Sequence, residues 1–426
     1  MSDERQKQSQ SLQHASSAQY SSAPQYSSRL AWNTTANPLE ALKASLRSEG
    51  AGILDLTPTN PTACDLGDWS QPIAAALARP EASLYRPTAE GLLGAREAVC
   101  AFYADLGARV GPDDLLLTAS TSESYSFLFQ MLCDPGDEVL VPAPSYPLFE
   151  HLAGLTGVRL QEYRLHYQME WLVDLRSAID ACSARTRAVI VVNPNNPTGS
   201  YLRDFELQGL LDLCAEKGLA LIADEVFWEH AITPPADASD EMTAAKRGWP
   251  WVANSSPDVL CFSLGGLSKS AGMPQMKVGW IVVRGPEQIR RTAVDRLRWI
   301  ADTYLSVSAP VQYALSNLLL IGAEIREAIL RRIRGNAVRL RRLAGSGWLA
   351  PLPVEGGWSA VVRLPTLQTD HQWCEALLRH QQVWVQPGYF YDFGREAHVV
   401  LSLLTPPDLF STGLDRLEAE VLHSCT

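Results

Sequence analysis

The amino-acid sequence predicts an α/β fold: a large domain whose mainly parallel sheet is flanked by helices, followed by a smaller α+β domain. Short apolar runs alternate with amphipathic stretches through the middle of the chain, as strands and helices do in α/β domains. The apolar runs have no polar face, which is typical of parallel strands covered by helices on both sides. This alternation stops after about Leu305, where the smaller domain is expected to begin.

The individual elements follow from these patterns. Strands are predicted at residues 114–118, 138–142, 188–192, 219–223, 259–263 and 279–283. Helices are predicted at 92–106, 123–133 and 205–217, and Gly218 ends the last of them because glycine readily takes a left-handed conformation. Beyond Leu305 we expect a long helix at 312–343 and short strands at 358–363, 383–385 and 399–403.

Four regions are therefore expected along the chain. Residues 1–28 are rich in Ser and Gln and lack the apolar segment of a signal peptide, so we interpret them as a disordered tail. Residues 29–60 form an N-terminal segment that packs with the small domain. Residues 61–305 form the large, ligand-binding domain, and residues 306–426 form the small C-terminal domain.

Composition excludes several classes of protein. The net charge is 36 − 47 = −11, which disfavours nucleic acid and anionic membranes as partners, and no apolar run is long enough to span a bilayer. An arginine-rich stretch, RRIRGNAVRLRR, is interpreted as a solvated helix face. The eight cysteines are widely spaced without zinc-ligand spacing, so we expect no metal site, reduced thiols and a cytoplasmic location.

Chemistry-bearing residues follow the predicted strands, where parallel α/β sheets bind ligands. Ser120 and Glu123 have the spacing of a capping box, and a helix N-terminus suits a phosphate. Tyr146 lies between two prolines after the next strand. When each feature is taken alone, helix capping and simple packing are the more frequent explanations.

The last three strands are followed by more specific motifs. They are NPNNPTG, which contains Asn196, then ADE, which contains Asp224, and then SLGGLSK, which ends at Lys269. A buried carboxylate needs a partner such as a protonated nitrogen, and a lysine in a cleft can have a lowered pKa and form a Schiff base. A tight turn, a helix cap and a solvent-exposed lysine are the structural alternatives for the three motifs.

Taken together and in this order, the three motifs, with Lys277 eight residues after Lys269, resemble the class I/II aminotransferases. These are fold type I enzymes that use pyridoxal 5′-phosphate (PLP). The resemblance runs from about Leu30 to the C-terminus and implies a homodimer that acts on a small-molecule amino donor and a keto-acid acceptor.

The resemblance also implies roles for individual residues. Lys269 would form the Schiff base, Asp224 would pair with the pyridinium nitrogen, and Asn196 would hydrogen-bond the phenolic oxygen. Tyr146 would stack on the cofactor ring, and Tyr85 would reach the phosphate of the neighbouring subunit. The remaining phosphate ligands would be Ser120, Thr121, Ser122, Ser268 and Lys277.

Four positions depart from the family pattern. Lys277 replaces an arginine, Phe227 replaces a tyrosine and Gly266 replaces a serine. Val400 stands where the family commonly has the arginine that clamps the substrate α-carboxylate. Either another residue takes that role, with Arg86, Arg363 and Arg395 as candidates, or the substrate has no carboxylate there.

An aminotransferase is the leading functional hypothesis. Another PLP reaction on the same scaffold, such as elimination or cyclisation, is the alternative suggested by Val400 and Phe227. A PLP-binding transcription regulator is disfavoured because the N-terminal tail is too short for a DNA-binding domain. A dehydrogenase is disfavoured because no G-x-G-x-x-G follows a strand.

Overall fold

A computed structural model describes residues 26–30, 35, 37–233, 249–255, 257–394 and 397–425. By internal contacts the chain divides into two units, Met1–Thr35 and Ala36–Thr426. In the first unit the described residues include a single 3₁₀ turn, Ser28–Leu30. Most of the predicted tail therefore lies outside the described residues. All elements named below belong to the second unit.

The strands are given in chain order. They are β1 Leu54–Asp55, β2 Leu115–Thr118, β3 Glu138–Ala143, β4 Arg159–Tyr167, β5 Trp171–Val173, β6 Thr186–Val192, β7 Ala220–Asp224, β8 Cys261–Gly266, β9 Gly279–Arg284, β10 Ala350–Pro351, β11 Ser359–Arg363, β12 Val383–Trp384, β13 Gln386–Pro387 and β14 His398–Ser402.

The α-helices are numbered in the same way. They are α1 Pro38–Ser48, α2 Ser70–Leu77, α3 Leu93–Asp105, α4 Thr121–Leu132, α5 Leu148–Thr156, α6 Leu175–Ala181, α7 Asp204–Lys217, α8 Leu267–Ser270, α9 Glu287–Tyr304, α10 Ala309–Arg341, α11 Asp370–Ala376 and α12 Pro407–Cys425.

Eight strands form the central sheet, in the order β2-β9-β8-β7-β6-β3-β4-β5. The pairs from β8 through β4 are parallel, whereas β9 runs antiparallel to both β2 and β8, and β5 runs antiparallel to β4. All six predicted strands of the large domain are present, each shifted by at most three residues at either end. The predicted mainly parallel sheet is confirmed.

Alternate side chains of the strands pack on the two faces of this sheet. Ile190, Ile222 and Phe262 pack with residues of α4, α5 and α9, and Val191 and Leu221 pack with residues of α7. At the β2–β9 edge, buried residues of these two strands pack with α3 and α10. Burial on both faces explains why these strands are apolar throughout.

Sequence patterns did not predict β4, β5, α9 or α12. The sequence of β4 is RLQEYRLHY, and only Tyr163 within it is fully buried. A strand with so many charged and exposed side chains does not stand out as an apolar run, so its pairing with β3 is what identifies it.

A four-stranded antiparallel sheet, β10-β11-β14-β13, lies in the part of the chain predicted to be the small domain. β1 pairs in parallel with β12, so the predicted N-terminal segment supplies a strand to this C-terminal region. The compact unit Ala36–Thr426 includes both predicted domains, and the boundary at residue 305 stays a prediction.

The arginine-rich stretch lies at the end of α10. Arg332 donates hydrogen bonds to the backbone carbonyls of Cys64, Asp65 and Leu404, and Arg334 donates to that of Ala231. These two side chains therefore connect segments distant in sequence rather than forming a purely solvated face. No helix in the described ranges is both long and apolar enough to cross a membrane.

Candidate active site

The sheet topology brings the carboxyl ends of β2, β3, β6, β7 and β8 to one edge. Thr118 at the end of β2 and Gly266 at the end of β8 both pair with Gly279, the first residue of β9. Asp224 at the end of β7 pairs with Val192 at the end of β6. Parallel α/β sheets bind their ligands at this edge, which makes it the candidate active site.

The turn after β2 presents free backbone donors. Ser120 is the N-cap of α4, and its Oγ accepts the Glu123 N–H at 3.2 Å. The N–H groups of Thr121 and Ser122 have no intrahelical acceptor because they begin the helix. A Cβ on Gly279 would lie only 3.1 Å from the Thr121 nitrogen, so the glycine lets β9 pass close to this turn.

The predicted capping box is only half correct. The Glu123 carboxylate does not return to the Ser120 N–H; instead its Oε2 accepts from the Ala119 N–H at 2.6 Å and from the Ser306 Oγ at 2.7 Å. Glu123 therefore fixes the strand end before the cap and connects it to the segment between α9 and α10.

Asp224 is the acid of the ADE motif that faces the site. Its Oδ2 accepts the Tyr125 hydroxyl of α4 at 3.1 Å, and its Oδ1 accepts the Val226 N–H at 3.3 Å. Burial raises the pKa of Asp224 to about 6, although these two hydrogen bonds and Lys269 act in the opposite direction. The carboxylate is thus held where a positive partner would be strongly favoured.

Glu225, the second acid, has a structural role. Its carboxylate accepts hydrogen bonds from the Val252 N–H at 2.6 Å, the Ala253 N–H at 3.2 Å and the Ser263 Oγ at 2.5 Å. Burial still raises its pKa to about 7. The two neighbouring acids therefore have different roles, because the side chains of successive residues at a strand end face opposite sides of the sheet.

Lys269 lies on the one-turn helix α8, directly after β8. Its Nζ is 4.7 Å from the ring centroid of Trp358 and 5.5 Å from that of Phe227. Burial lowers the pKa of the amine to about 8, and Asp224 partly offsets that effect. Asp224 ends β7 and Lys269 follows the adjacent strand β8, so the structure places these two predicted residues at the same edge of the sheet.

The three asparagines of NPNNPTG have different partners. Asn193 donates to the Pro250 carbonyl and accepts from the Leu202 N–H, and Asn195 accepts from the Thr198 hydroxyl. Asn196 accepts from the Ser359 Oγ at 3.0 Å through its Oδ1. Among the described residues, the Nδ2 of Asn196 has no hydrogen-bond partner, so its donor remains available.

The remaining predicted residues lie nearer the surface. Tyr146 is 46% exposed and follows Ser145, whose N–H donates to the Tyr391 carbonyl. Ser268 is half-buried, and Lys277 is exposed with a left-handed backbone, φ 52°. Tyr85 is 83% exposed. The exposed positions of Lys277 and Tyr85 neither support nor contradict a contact with phosphate.

Val400 is buried in β14 opposite Val361 of β11. Its neighbours form an apolar cluster with Trp171, Leu352, Val361 and Tyr391. A guanidinium here would lie among the apolar side chains of this cluster. Of the candidate replacements, Arg86 and Arg363 are exposed, and Arg395 lies outside the described residues.

Sequence reasoning did not identify Tyr125 and Ser359 as site residues. Tyr125 lies on α4 in a run that is otherwise typical of a packed helix, and Ser359 begins the distant strand β11, directly after Trp358. Tertiary packing brings Tyr125 to Asp224, Ser359 to Asn196 and Trp358 to Lys269. The sequence predicted a strand at 358–363 but not these contacts.

The chain also matches known proteins. The family model described as aminotransferase class I and II matches residues 65–408. The chain belongs to the class I and II aminotransferases. A glutamate-pyruvate aminotransferase, AlaA, from Haemophilus influenzae is 29% identical over 68% of this chain and 69% of its own length. An alanine aminotransferase from Mycobacterium bovis is 27% identical over 89% of this chain and 88% of its own.

Solved structures agree on the fold. An alanine aminotransferase from Pyrococcus furiosus superposes with a TM-score of 0.81 at 21% identity, covering 94% of this chain and all of that one. An aminotransferase from Escherichia coli gives a TM-score of 0.79 at 23% identity, covering 94% and 99%. The predicted family, fold class and enzyme class are confirmed, and the chain is an aminotransferase.

Proposed function

We propose that this aminotransferase uses pyridoxal 5′-phosphate, with Lys269 as the residue that bonds to the cofactor, to move an amino group from a small amino donor to a keto acid. The observation that carries the proposal is the pair formed by Asp224 and Lys269. A carboxylate and an amine are held at the same strand edge, each with its pKa shifted toward neutrality by burial. Buried, perturbed groups of this kind are typical of catalytic sites.

The residues present fit the cofactor. The free N–H groups at the start of α4 and the close approach permitted by Gly279 make a cradle for a phosphate. The Asp224 carboxylate suits a protonated ring nitrogen, and the free Nδ2 of Asn196 suits a phenolic oxygen. Ser120, Ser268 and Lys277 supply further donors or charge for the phosphate, and Tyr146 supplies a ring face.

When bound, PLP supplies an aldehyde that condenses with amines and a heterocycle that accepts electrons from the substrate Cα. Asp224 would hold the proton on the ring nitrogen, and Tyr125 holds that carboxylate in place. Lys269 removes the proton from the substrate Cα, for which an amine with a pKa of about 8 is well matched near neutral pH. Phe227 and Trp358 exclude water from this amine.

The substrates, assembly and location are proposed on weaker support. Alanine, glutamate and pyruvate are the first compounds to test because they are named in, or follow from, the names of the relatives. A homodimer is proposed from the family resemblance, in which Tyr85, here 83% exposed, would reach the partner's phosphate. A cytoplasmic location is supported by the free thiols of all eight cysteines.

The test is a half-reaction screen followed in the visible band of the bound cofactor. We expect at least one amino donor to shift the band and a keto acid to restore it. Amines without carboxylates belong in the screen because Val400 replaces the usual carboxylate ligand. Release of ammonia or pyruvate without an acceptor would instead favour the elimination alternative. A purified protein that takes up no PLP would contradict the proposal.

A further inference from the structure

Residues 355–359, with the sequence EGGWS, lie against the turn that contains Asn196. We call them the clasp segment. The N–H groups of Glu355 and Gly356 both donate to the Gly199 carbonyl, at 3.1 and 2.9 Å, and the Gly357 N–H donates to the His230 carbonyl at 3.1 Å. Backbone hydrogen bonds therefore connect the clasp segment to Gly199, the last residue of NPNNPTG, and to His230, which follows the ADE motif.

A partly buried ion pair fixes one end of the clasp segment. The Glu355 carboxylate accepts from both terminal nitrogens of Arg203, at 2.6 and 3.1 Å, and from the Tyr201 N–H at 2.9 Å. The side chains of Glu355 and Arg203 are only 19% and 20% exposed. A bidentate, charge-assisted pair of this kind fixes orientation as well as distance. Arg203 also contacts Glu170, whose side chain is 52% exposed.

The glycines of this contact have no room for side chains. A Cβ on Gly356 would lie 2.5 Å from the ring of Tyr201, and one on Gly199 would lie 2.7 Å from the Gly356 carbonyl oxygen. Gly199 also has a positive φ of 70°. The two segments therefore approach as closely as their backbones permit, which leaves little freedom for relative movement.

The other end of the clasp segment reaches the site. Ser359 donates its hydroxyl to the Asn196 Oδ1 at 3.0 Å, which leaves the Nδ2 of the same amide as the donor for a ligand. Without this contact, the Asn196 amide could rotate and present its Oδ1 to the ligand instead of its Nδ2. The orientation of this amide is important because the Phe227 side chain carries no hydrogen-bond donor that could act in its place.

We propose that the clasp segment positions Asn196 for the cofactor, with Ser359 setting the direction of the amide and the Glu355–Arg203 pair holding the segment in register. This inference rests on the proposed function, because it needs Asn196 to face the phenolic oxygen of PLP. Ser359 and Glu355 are positioning residues, since they act through Asn196.

The readout is the pH titration of the visible band of the holoenzyme. A hydrogen bond from Asn196 stabilises the negative phenolic oxygen, so the adjacent imine nitrogen loses its proton more easily. We expect Ser359→Ala to raise the midpoint by about half a pH unit and to weaken PLP binding about threefold. Ser359→Thr keeps the hydroxyl and is expected to restore both values.

Ser200→Ala is the matched control, because the Ser200 hydroxyl bonds to Thr198 in the same turn and not to Asn196. A second pair of variants tests whether the Glu355–Arg203 ion pair holds the clasp segment in place. Glu355→Gln is expected to shift the midpoint in the same direction as Ser359→Ala, whereas Glu170→Gln, which alters the exposed partner of the same arginine, is expected to leave it unchanged.

The inference would be overturned if the titration midpoint of Ser359→Ala equalled that of the native enzyme. It would also be overturned if the midpoint of Ser359→Thr equalled that of Ser359→Ala. An equal shift in Glu355→Gln and Glu170→Gln would overturn the part played by the ion pair. A native protein with no titrating visible band would instead contradict the proposed function itself, so the two failures are distinguishable.

Discussion

The two ends of the candidate site differ in kind. At the edge of the eight-stranded sheet, Asp224 and Lys269 are partly buried with shifted pKa values, and hydrogen bonds from Tyr125 and Val226 orient the carboxylate. In the four-stranded sheet, Val400, which is predicted to stand where the family commonly has an arginine, is packed among Trp171, Leu352 and Tyr391. The first region contains ionisable groups that burial disfavours, and the second is an apolar cluster.

This difference separates cofactor chemistry from substrate recognition. Burying unpaired polar or charged groups is unfavourable, so their presence at the strand edge indicates a ligand that compensates them. The apolar cluster needs no such compensation. Chemistry at the cofactor is thus expected to follow the family, while the contact made by the substrate carboxylate is expected to differ. Substitutions at the strand edge and in the apolar cluster test this difference, and the largest effect is expected at Lys269.

Lys269→Ala is expected to remove the covalent cofactor band and to lower the transamination rate by about a thousandfold or more, because it removes the amine that bonds the cofactor and moves the proton. Absorption spectra and single-turnover rates check it. Lys217→Ala, at an exposed lysine on α7, is the control. A normal band in Lys269→Ala would place the chemistry elsewhere.

Asp224→Asn is expected to change activity and stability in opposite directions. Activity should fall about a hundredfold to a thousandfold, since the ring nitrogen loses its anionic partner. The raised pKa of Asp224, about 6, means that ionisation disfavours the native apoprotein above that pH. The variant apoprotein should therefore be about 1–3 kcal/mol more stable at pH 7.5.

This gain in stability should disappear as the pH falls from about 6 toward 4, where the native aspartic acid becomes neutral in both states. Urea unfolding at several pH values measures it. Asp212→Asn, at an exposed position on α7, is the control and should be nearly neutral. An unchanged or lower stability of the Asp224 variant at pH 7.5 would show that the carboxylate is not strained by burial.

Val400→Arg tests the other region. A guanidinium inside the apolar cluster should lower the free energy of unfolding by at least about 2 kcal/mol, because its charge has no partner there. Val338→Arg, at a valine that is 48% exposed on α10, is the control. A stable Val400→Arg variant with a higher kcat/KM for amino-acid donors would mean that the family's carboxylate site is still present.

His230→Phe is expected to have the smallest effect. His230 is fully buried, and in the described part of the chain neither of its ring nitrogens has a hydrogen-bond partner. Burial, with Arg326 and Lys269 nearby, lowers its pKa to about 3. The unfolded chain therefore binds a proton that the native state does not, and stability falls as the pH drops below about 6.5.

Replacing His230 by phenylalanine should remove about 1–2 kcal/mol of the stability lost between pH 7.5 and pH 5. Denaturation at the two pH values gives this difference, and exposed His423→Phe provides the control. The same loss in the variant and the native protein would mean that His230 is protonated, or has a partner, at pH 5.

The sequence by itself determined six of the eight strands of the central sheet, the family and the order of the site motifs. Apolar runs and turn residues are local signals, so β6, β7 and β8 and the residues that follow them were predictable. The sequence did not show which side of the sheet Asp224 and Glu225 each face. That difference is what makes Asp224 a site residue and Glu225 a structural one. The capping role expected for Glu123 was wrong because Ser306, far along the chain, also competes for its carboxylate.

Only the tertiary structure decided which residues from distant segments complete the site. Tyr125, Trp358 and Ser359 reach Asp224, Lys269 and Asn196 through packing between α4, β7 and β11. The apolar surroundings of Val400 likewise depend on β5, β10 and β11 lying against β14. Contacts of this kind join residues separated by scores of positions in the chain, and no local pattern of side chains encodes which ones will meet.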